Sequence, residues 1–316
     1  MSNKIAILDT GYASYTYETK LFTEKGYELH IYGGPARNRD RKYQMGSDAH
    51  GILVRELLID EAALMRMPVL KAIVRYGIGY DNIDLDACRK RNIRVANVQG
   101  YASHSVSDHA LALMFACIRD LEGSRSGTFS KPSRADVFEL HDKTVGIIGI
   151  GRIGSQFSRK VAPLFKRILA CDPYKTKAYI NKLGAEKVDL STLLSQSHVI
   201  SLFCNLTAET RHLLNDGAFE KMEQVPVIIN TARGAVVEER ALLRALTSGR
   251  VHSAGLDVFE QEPPGKEQKA LLAFPKVVYT PHIAWYSNAS VLTLQRTAAQ
   301  HLVGLLQGEQ IEDELT

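Results

Sequence analysis

Residues 144–172 read TVGIIGIGRIGSQFSRKVAPLFKRILACD, and this stretch decides the fold. Val145 to Ile150 is a short apolar run with the β-branched content of a buried parallel strand. Gly149, Gly151 and Gly154 mark a turn, and Ile153, Phe157, Val161 and Leu164 then recur at helical spacing. A second strand-like run, residues 167–171, closes at Asp172. Strand, glycine turn, helix, strand and terminal acid are the parts of a dinucleotide-binding unit. In such a unit the first glycine permits the tight turn. The second lets backbone approach a pyrophosphate, and the third lets helix and strand pack closely. Arg152 and Ile153 open the helix, whose N–H groups and partial positive charge favour phosphate. Asp172 stands where an acid accepts hydrogen bonds from ribose hydroxyls. It would repel a 2′-phosphate, so NAD is expected over NADP, with Lys175 and Lys177 softening that preference.

A chain of 316 residues suits two domains of ordinary size. Its 45% apolar and 23% charged residues are those of a soluble globular protein, and a net charge of +4 is too small to argue for nucleic acid or membrane. Cys88, Cys117, Cys171 and Cys204 are scattered, with no C-x-x-C pair. That fits reduced cysteines in the cytoplasm better than disulfides or a zinc site, and no metal is expected. The N-terminus runs directly into a strand, so no signal peptide is expected. No apolar run approaches the roughly 18 residues of a membrane span.

The first hundred residues alternate strand candidates (4–8, 27–31, 51–54, 71–74 and 94–98) with helical segments such as 15–25, 60–67 and 84–91. Alternation of this kind implies a parallel sheet with helices on both faces. Asp9-Thr10-Gly11 looks like an aspartic-protease signature, but that chemistry needs two carboxylates and the motif occurs once, so it reads as the turn after the first strand. Residues 103–121 form a long helix with Ser103 as N-cap and a stripe through Val106, Ala110, Leu113, Met114 and Cys117. The polar segment 122–143, with Pro132 inside it, reads as a loop or arm. After the nucleotide unit come strands at 198–203, 225–230, 253–258 and 276–279. A last helix, 290–306, is expected to return to the first domain. The expected fold is α/β: two doubly wound parallel-sheet domains with a cleft between them, residues 1–102 plus 284–316 and residues 103–283.

Ligands of a doubly wound sheet bind beyond the carboxyl ends of its strands. Three strands of the second domain end there in chemistry-bearing residues. One runs into Thr231-Ala232-Arg233-Gly234, the next into Phe259-Glu260-Gln261-Glu262-Pro263, the last into Thr280-Pro281-His282. Alone, each is a surface cation, a loop acid or a structural histidine. Together beside a nucleotide site they suit one reaction. Hydride transfer to a ketone leaves negative charge on oxygen, and a protonated imidazole supplies the proton. A neighbouring carboxylate holds the ring and favours its charged form. A guanidinium grips a substrate carboxylate with two parallel bonds. Trp285 and Tyr286 follow His282 directly, so one ring is expected to wall a substrate pocket, with Tyr101 as a second wall.

The order G-I-G-R-I-G, N-T-A-R-G, G-L-D-V-F-E-x-E-P and T-P-H-I-A-W resembles the D-isomer-specific 2-hydroxyacid dehydrogenases. So do Y-G-I-G-Y-D-N-I-D at 76–84 and V-S-D-H-A-L-A-L at 106–113. The resemblance implies a flavodoxin-like substrate domain, an inserted Rossmann domain holding NAD, and a homodimer. It implies that Arg233 binds the substrate carboxylate, Glu262 orients the histidine and His282 is the acid/base. Backbone around Tyr76, Gly77, Ile78 and Gly79 would also hold the carboxylate, and Asn205, Thr207, Thr231, Ala232 and Asp257 would line the cofactor. Glu260 occupies a variable motif position and receives no role.

Departures touch the cofactor rim and the dimer arm, not Arg233, Glu262 and His282. Residues 203–207 read F-C-N-L-T where many members have His and Pro; Phe129 stands for a common Trp and Asp142 for a common Gly. Glu262 argues against the formate dehydrogenases, which carry Gln there. The chain stops soon after its last helix, so the regulatory domain of many phosphoglycerate dehydrogenases is not expected. Two readings stand: an enzyme reducing a small 2-keto acid such as glyoxylate, hydroxypyruvate or one with a short apolar tail, and an NAD-sensing corepressor-like protein. Asp108-His109 and H-I-A-W-Y at 282–286 look similar to the family's corepressors, which also retain the triad. Those proteins tend to have long disordered tails, so the enzyme is favoured.

Overall fold

A computed structural model of the chain describes residues 3–121 and 137–316. Phe129 and most of the expected arm lie outside these residues. The described chain divides into two compact units, Met1–Tyr101 with Ser287–Thr316, and Ala102–Tyr286.

The first unit has five strands: β1 (Asn3–Ile7), β2 (Tyr27–Ile31), β3 (Gly51–Val54), β4 (Ala72–Arg75) and β5 (Arg94–Ala96). They lie in the order β2-β1-β3-β4-β5, every pair parallel. This is the flavodoxin-like winding, with its switch point between β1 and β3. β3 is wholly buried, as its unbroken Gly-Ile-Leu-Val run requires. Short helices between the strands start on acids: Asp60 and Asp84 accept the N–H groups of Ala63 and Ala87 and so cap Glu61–Met65 and Leu85–Lys90. The chain's last helix, Asn288–Gln307, packs on β3, β4 and β5 through a face that includes Leu294, Ala298 and Leu302.

Asp9 sits where the sequence places a turn, and it ties that turn to the loop after β3 and to the helix Arg39–Gly46. Its Oδ2 accepts the N–H groups of Arg55, Glu56 and Leu57 at 2.8, 2.8 and 2.7 Å, and its Oδ1 takes Lys42 Nζ at 2.5 Å. Both side chains are buried.

The second unit holds seven parallel strands: β6 (Thr144–Ile148), β7 (Arg167–Cys171), β8 (Glu186–Lys187), β9 (Val199–Leu202), β10 (Val227–Asn230), β11 (Ser253–Leu256) and β12 (Val277–Tyr279). Their order is β12-β11-β10-β9-β6-β7-β8. Read from β8 inward this is the Rossmann order 3-2-1-4-5-6 with one strand added. The two-residue β8 escaped sequence reading because it is too short for any period to show. β6 ends at Ile148, two residues before the apolar run does, because Gly149 turns the chain at φ +86°. The helix Ser103–Ile118 buries the expected stripe, but its N-cap is Ala102 rather than Ser103. Ser103 already belongs to the first turn, where its carbonyl accepts the Ser107 hydroxyl, so no side chain caps this end. Among the described residues no helix is long and apolar enough to cross a membrane.

Burial pushes the Asp9 carboxyl up, but Lys42 and the three backbone donors outweigh it and hold the group below 3.8. A depressed acid stabilises above its unfolded value and loses that contribution as pH falls through the folded one. Asp9→Ala leaves Lys42 buried and unpaired, so it should cost about 3–5 kcal/mol in urea unfolding at neutral pH. The deficit should close only below pH 3.8.

Candidate active site

The nucleotide turn has the shape its sequence implies. A Cβ on Gly149 would lie 2.6 Å from the backbone nitrogen of Cys204, and one on Gly154 would lie 2.2 Å from the Gly149 carbonyl oxygen. These two glycines let β6, its helix and the loop after β9 touch backbone to backbone. Gly151 differs: a Cβ there would meet nothing within 4 Å. Gly151 is the N-cap of the helix Arg152–Val161, and no side chain caps it. Open space over an uncapped helix N-terminus fits a bound pyrophosphate.

Asp172 is buried at the end of β7. Its Oδ2 accepts the Ile150 N–H and its Oδ1 the Tyr174 N–H, each at 2.9 Å. The acid expected to meet a ribose thus also braces the glycine turn. Asn205 and Thr207 lie exposed in the loop after β9, where Thr210 ties them: its hydroxyl bonds the Asn205 carbonyl at 2.6 Å and accepts the Thr207 N–H at 2.7 Å. The Thr231 hydroxyl is buried without a hydrogen-bond partner. Ala232 N–H is held by Asn230 Oδ1 at 3.0 Å.

The three chemistry-bearing loops leave adjacent strands at one level, since Asn230 pairs with Leu256 and Leu256 with Tyr279. Buried Asn230 shapes the first loop, its Nδ2 donating to the Arg233 carbonyl at 2.9 Å. In the second, Glu262 Oε1 accepts the Phe259 N–H at 3.0 Å, which turns its other oxygen outward. That oxygen, Oε2, meets His282 Nδ1 at 2.6 Å. Burial pushes the Glu262 carboxyl up, but the His282 bond and charge, the Phe259 N–H and the nearby Arg233 charge together hold it below its usual value.

His282 adopts φ +53°, a left-handed conformation that few non-glycine residues take. Asp257 maintains it. This fully buried acid accepts the Thr280 hydroxyl at 2.5 Å and the N–H groups of Ile283 and Ala284 at 2.9 Å, while its carbonyl takes the His282 N–H. Its carboxylate hydrogen bonds therefore go to the histidine loop, with His109 Nε2 of the helix Ser103–Ile118 at 3.6 Å, a placement that sequence reading did not foresee. His109 Nε2 completes the set, 2.9 Å from the Thr280 hydroxyl. Trp285 Nε1 donates to the His282 carbonyl at 3.0 Å and stacks edge-on against Tyr286.

In the first unit, the ring of Tyr76 is buried and its hydroxyl donates to Glu18 Oε1 at 3.0 Å. Only its backbone remains for a ligand. Gly77 has φ +133°, and the Tyr101 hydroxyl lies 3.5 Å from where its Cβ would stand. The Ile78 carbonyl accepts Asn97 Nδ2 at 2.6 Å, and Gly79 follows in the same loop.

Residues 111–284 match the family model for the NAD binding domain of D-isomer specific 2-hydroxyacid dehydrogenases. The chain belongs to this family. It is 40% identical over 239 residues to the hydroxypyruvate reductase of Thermotoga maritima, covering 74% of this chain and 76% of that one. It is 38% identical to the D-3-phosphoglycerate dehydrogenase of Archaeoglobus fulgidus over 81% of its own length, but spans only 49% of that relative. The apo-structure of D-lactate dehydrogenase from Escherichia coli superposes with a TM-score of 0.85 at 30% identity, over 99% of this chain and all of that one. The family's cofactor is NAD(H).

The glycines give a paired test. Gly151→Ala fills the open space without touching protein, so it should weaken NADH binding by at least about tenfold while thermal stability holds. Gly154→Ala drives a methyl into the Gly149 carbonyl and should lose both. Fluorescence titration with NADH and a thermal melt of each variant check this.

Proposed function

We propose that the chain reduces a small 2-keto acid to the D-2-hydroxy acid, with His282 as the acid. The 2.6 Å contact between His282 Nδ1 and Glu262 Oε2 carries this reading. With Nδ1 engaged, Nε2 is the ring nitrogen that carries the mobile proton. NADH, when bound, supplies the hydride. The carbonyl carbon accepts that hydride while the carbonyl oxygen takes the proton from Nε2, and the reverse reaction needs the ring neutral. Glu262 orients the ring and balances its charge. Arg233 pairs with the substrate carboxylate through a two-pronged contact. Backbone at Tyr76, Gly77, Ile78 and Gly79, with Tyr101, is assigned to the substrate. Trp285, fixed through its indole N–H, is assigned to the wall beside the reacting carbon. Asn205, Thr207, Thr231, Ala232 and Asp257 are assigned to the cofactor side. Glyoxylate, hydroxypyruvate and keto acids with a short apolar tail are the proposed substrates. A cytoplasmic homodimer is proposed as the working form; the four free cysteines suit that compartment, and sedimentation tests the dimer.

A panel of keto acids with NADH, followed by loss of cofactor absorbance, tests the activity. A chain that binds NADH and oxidises it with none of them is a sensor rather than an enzyme. His282→Gln should cost about 10²–10⁴ in turnover while NADH still binds. Arg233→Lys should fail as well, because an ammonium cannot make the two-pronged contact. Trp285→Ala should reorder the preference among keto acids, and an unchanged ranking removes the wall.

The pH profile has two limbs. Turnover is fastest with Glu262 ionised, and its carboxyl is held below its usual 4.5, so protonation there should lower the rate only in part. The acid limb should therefore lie below 4.5. The alkaline limb reports loss of the imidazolium proton. In Glu262→Gln it should move to lower pH, with activity partly retained on the acid side, provided chemistry limits the rate. A limb that stays in place transfers the orienting role to another acid.

A further inference from the structure

The loop carrying Glu262 is held by two carboxylates that the proton transfer does not use. Glu260 Oε1 accepts the backbone N–H of Glu239 at 2.9 Å, and Glu239 Oε1 accepts the backbone N–H of Glu260 at 2.7 Å. Each side chain thus satisfies the other's main chain, as in a capping box spread over two loops. Glu239 opens the helix Glu239–Thr247, whose N-cap, Glu238, makes no side-chain cap bond. Glu260 supplies that cap from outside, with negative charge at the favourable end of the helix. The second oxygens are engaged too. Glu239 Oε2 accepts Gln268 Nε2 at 2.9 Å, and Glu260 Oε2 meets His212 Nε2 at 3.0 Å.

This staple joins two parts of the proposed site. Glu239 follows the Arg233-Gly234 turn by one short 3-10 segment, Gly234–Val236. Glu260 precedes Glu262 by two residues. The loops also touch directly, since a Cβ on Gly234 would lie 1.9 Å from the Phe259 carbonyl carbon. The backbone at Phe259 and Glu260 takes two carboxylates at once: Glu262 on the Phe259 N–H and Glu239 on the Glu260 N–H. Movement of that segment would turn Glu262 away from His282 Nδ1.

We infer that Glu239 and Glu260 are positioning residues: their crossed bonds fix Glu262 against His282. The inference rests on the acid/base reading above, and its test separates the two. The full chain is assayed with NADH and whichever of glyoxylate, hydroxypyruvate or pyruvate it turns over fastest.

Glu260→Ala should lower turnover about tenfold or more. The KM for the keto acid and NADH affinity should stay near wild type, and the alkaline limb should shift in the direction of Glu262→Gln. Glu260→Gln keeps an oxygen for the Glu239 N–H and should restore most of the rate and the limb. Adding Glu260→Ala to Glu262→Gln should cost little more than Glu262→Gln alone, because both act through one contact. Should Glu260→Ala fail to fold, Glu260→Asp retracts the carboxylate by one methylene and should give a smaller loss with the same shift. An unmoved limb in these variants while Glu262→Gln is impaired overturns the positioning role. So do additive losses in the double variant, and so does a Glu260→Gln as impaired as Glu260→Ala. Wild-type turnover in Glu262→Gln and His282→Gln overturns the acid/base reading instead.

Discussion

Because every strand in both sheets runs parallel to its neighbours, all the carboxyl ends of a sheet lie on one edge, and each loop leaving that edge starts from backbone pinned by its ladder. In the second unit this brings together residues that are far apart in sequence. Asn230, Leu256 and Tyr279 are paired at one level, so the loops bearing Arg233, Glu262 and His282 begin together. The loops are short, three to six residues from strand end to functional side chain, which limits how far those side chains can spread. Hydrogen bonds within the loops then do the finer placement: Asn230 bonds across the Arg233 turn, and Glu262 accepts the Phe259 N–H of its own loop.

The His282 loop shows how such placement is maintained. A left-handed conformation at a non-glycine residue costs of order 1–3 kcal/mol and persists only where its surroundings over-determine it. Asp257 provides that. One buried carboxylate gathers a hydroxyl and two backbone N–H groups from a five-residue span, and its own carbonyl holds a third N–H. A buried acid satisfied in this way is costly to disturb, since removing it would strand several donors at once.

Much of this was legible in the sequence because it rests on strong local signals. The β6 apolar run, the three glycines and Asp172 fixed one βαβ unit, and a βαβ crossover has a single favoured hand, so the sheet around it had few alternatives. Arg233, Glu262 and His282 stood out because each follows an apolar run by a few residues. What escaped notice depends on non-local pairing. Nothing in the spacing of Glu239 and Glu260, 21 residues apart, announces reciprocal bonds. The hydrogen bonds that the Asp257 carboxylate accepts from Thr280, Ile283 and Ala284 were equally silent, because sequence does not show which way a side chain turns. The burial of the Tyr76 ring does not show in its spacing either. Ser103 was mistaken for a cap because composition favours serine there, whereas the first helical dihedrals fall one residue earlier.

The return of the last helix has a consequence for biosynthesis. Leu302 and Leu306 pack against Gly51 of β3, so this face of the first sheet is covered by residues made some 250 positions later. The second unit, by contrast, is one continuous stretch of chain. As the polypeptide leaves the ribosome, the segment synthesised first must wait with apolar strands uncovered while the later unit gathers all of its own contacts. The order of synthesis and the order of completion are reversed, and the vulnerable interval for aggregation falls on β3, β4 and β5. A truncation that removes only the final thirty residues would leave the whole nucleotide-binding unit intact and strip the cover from the other sheet.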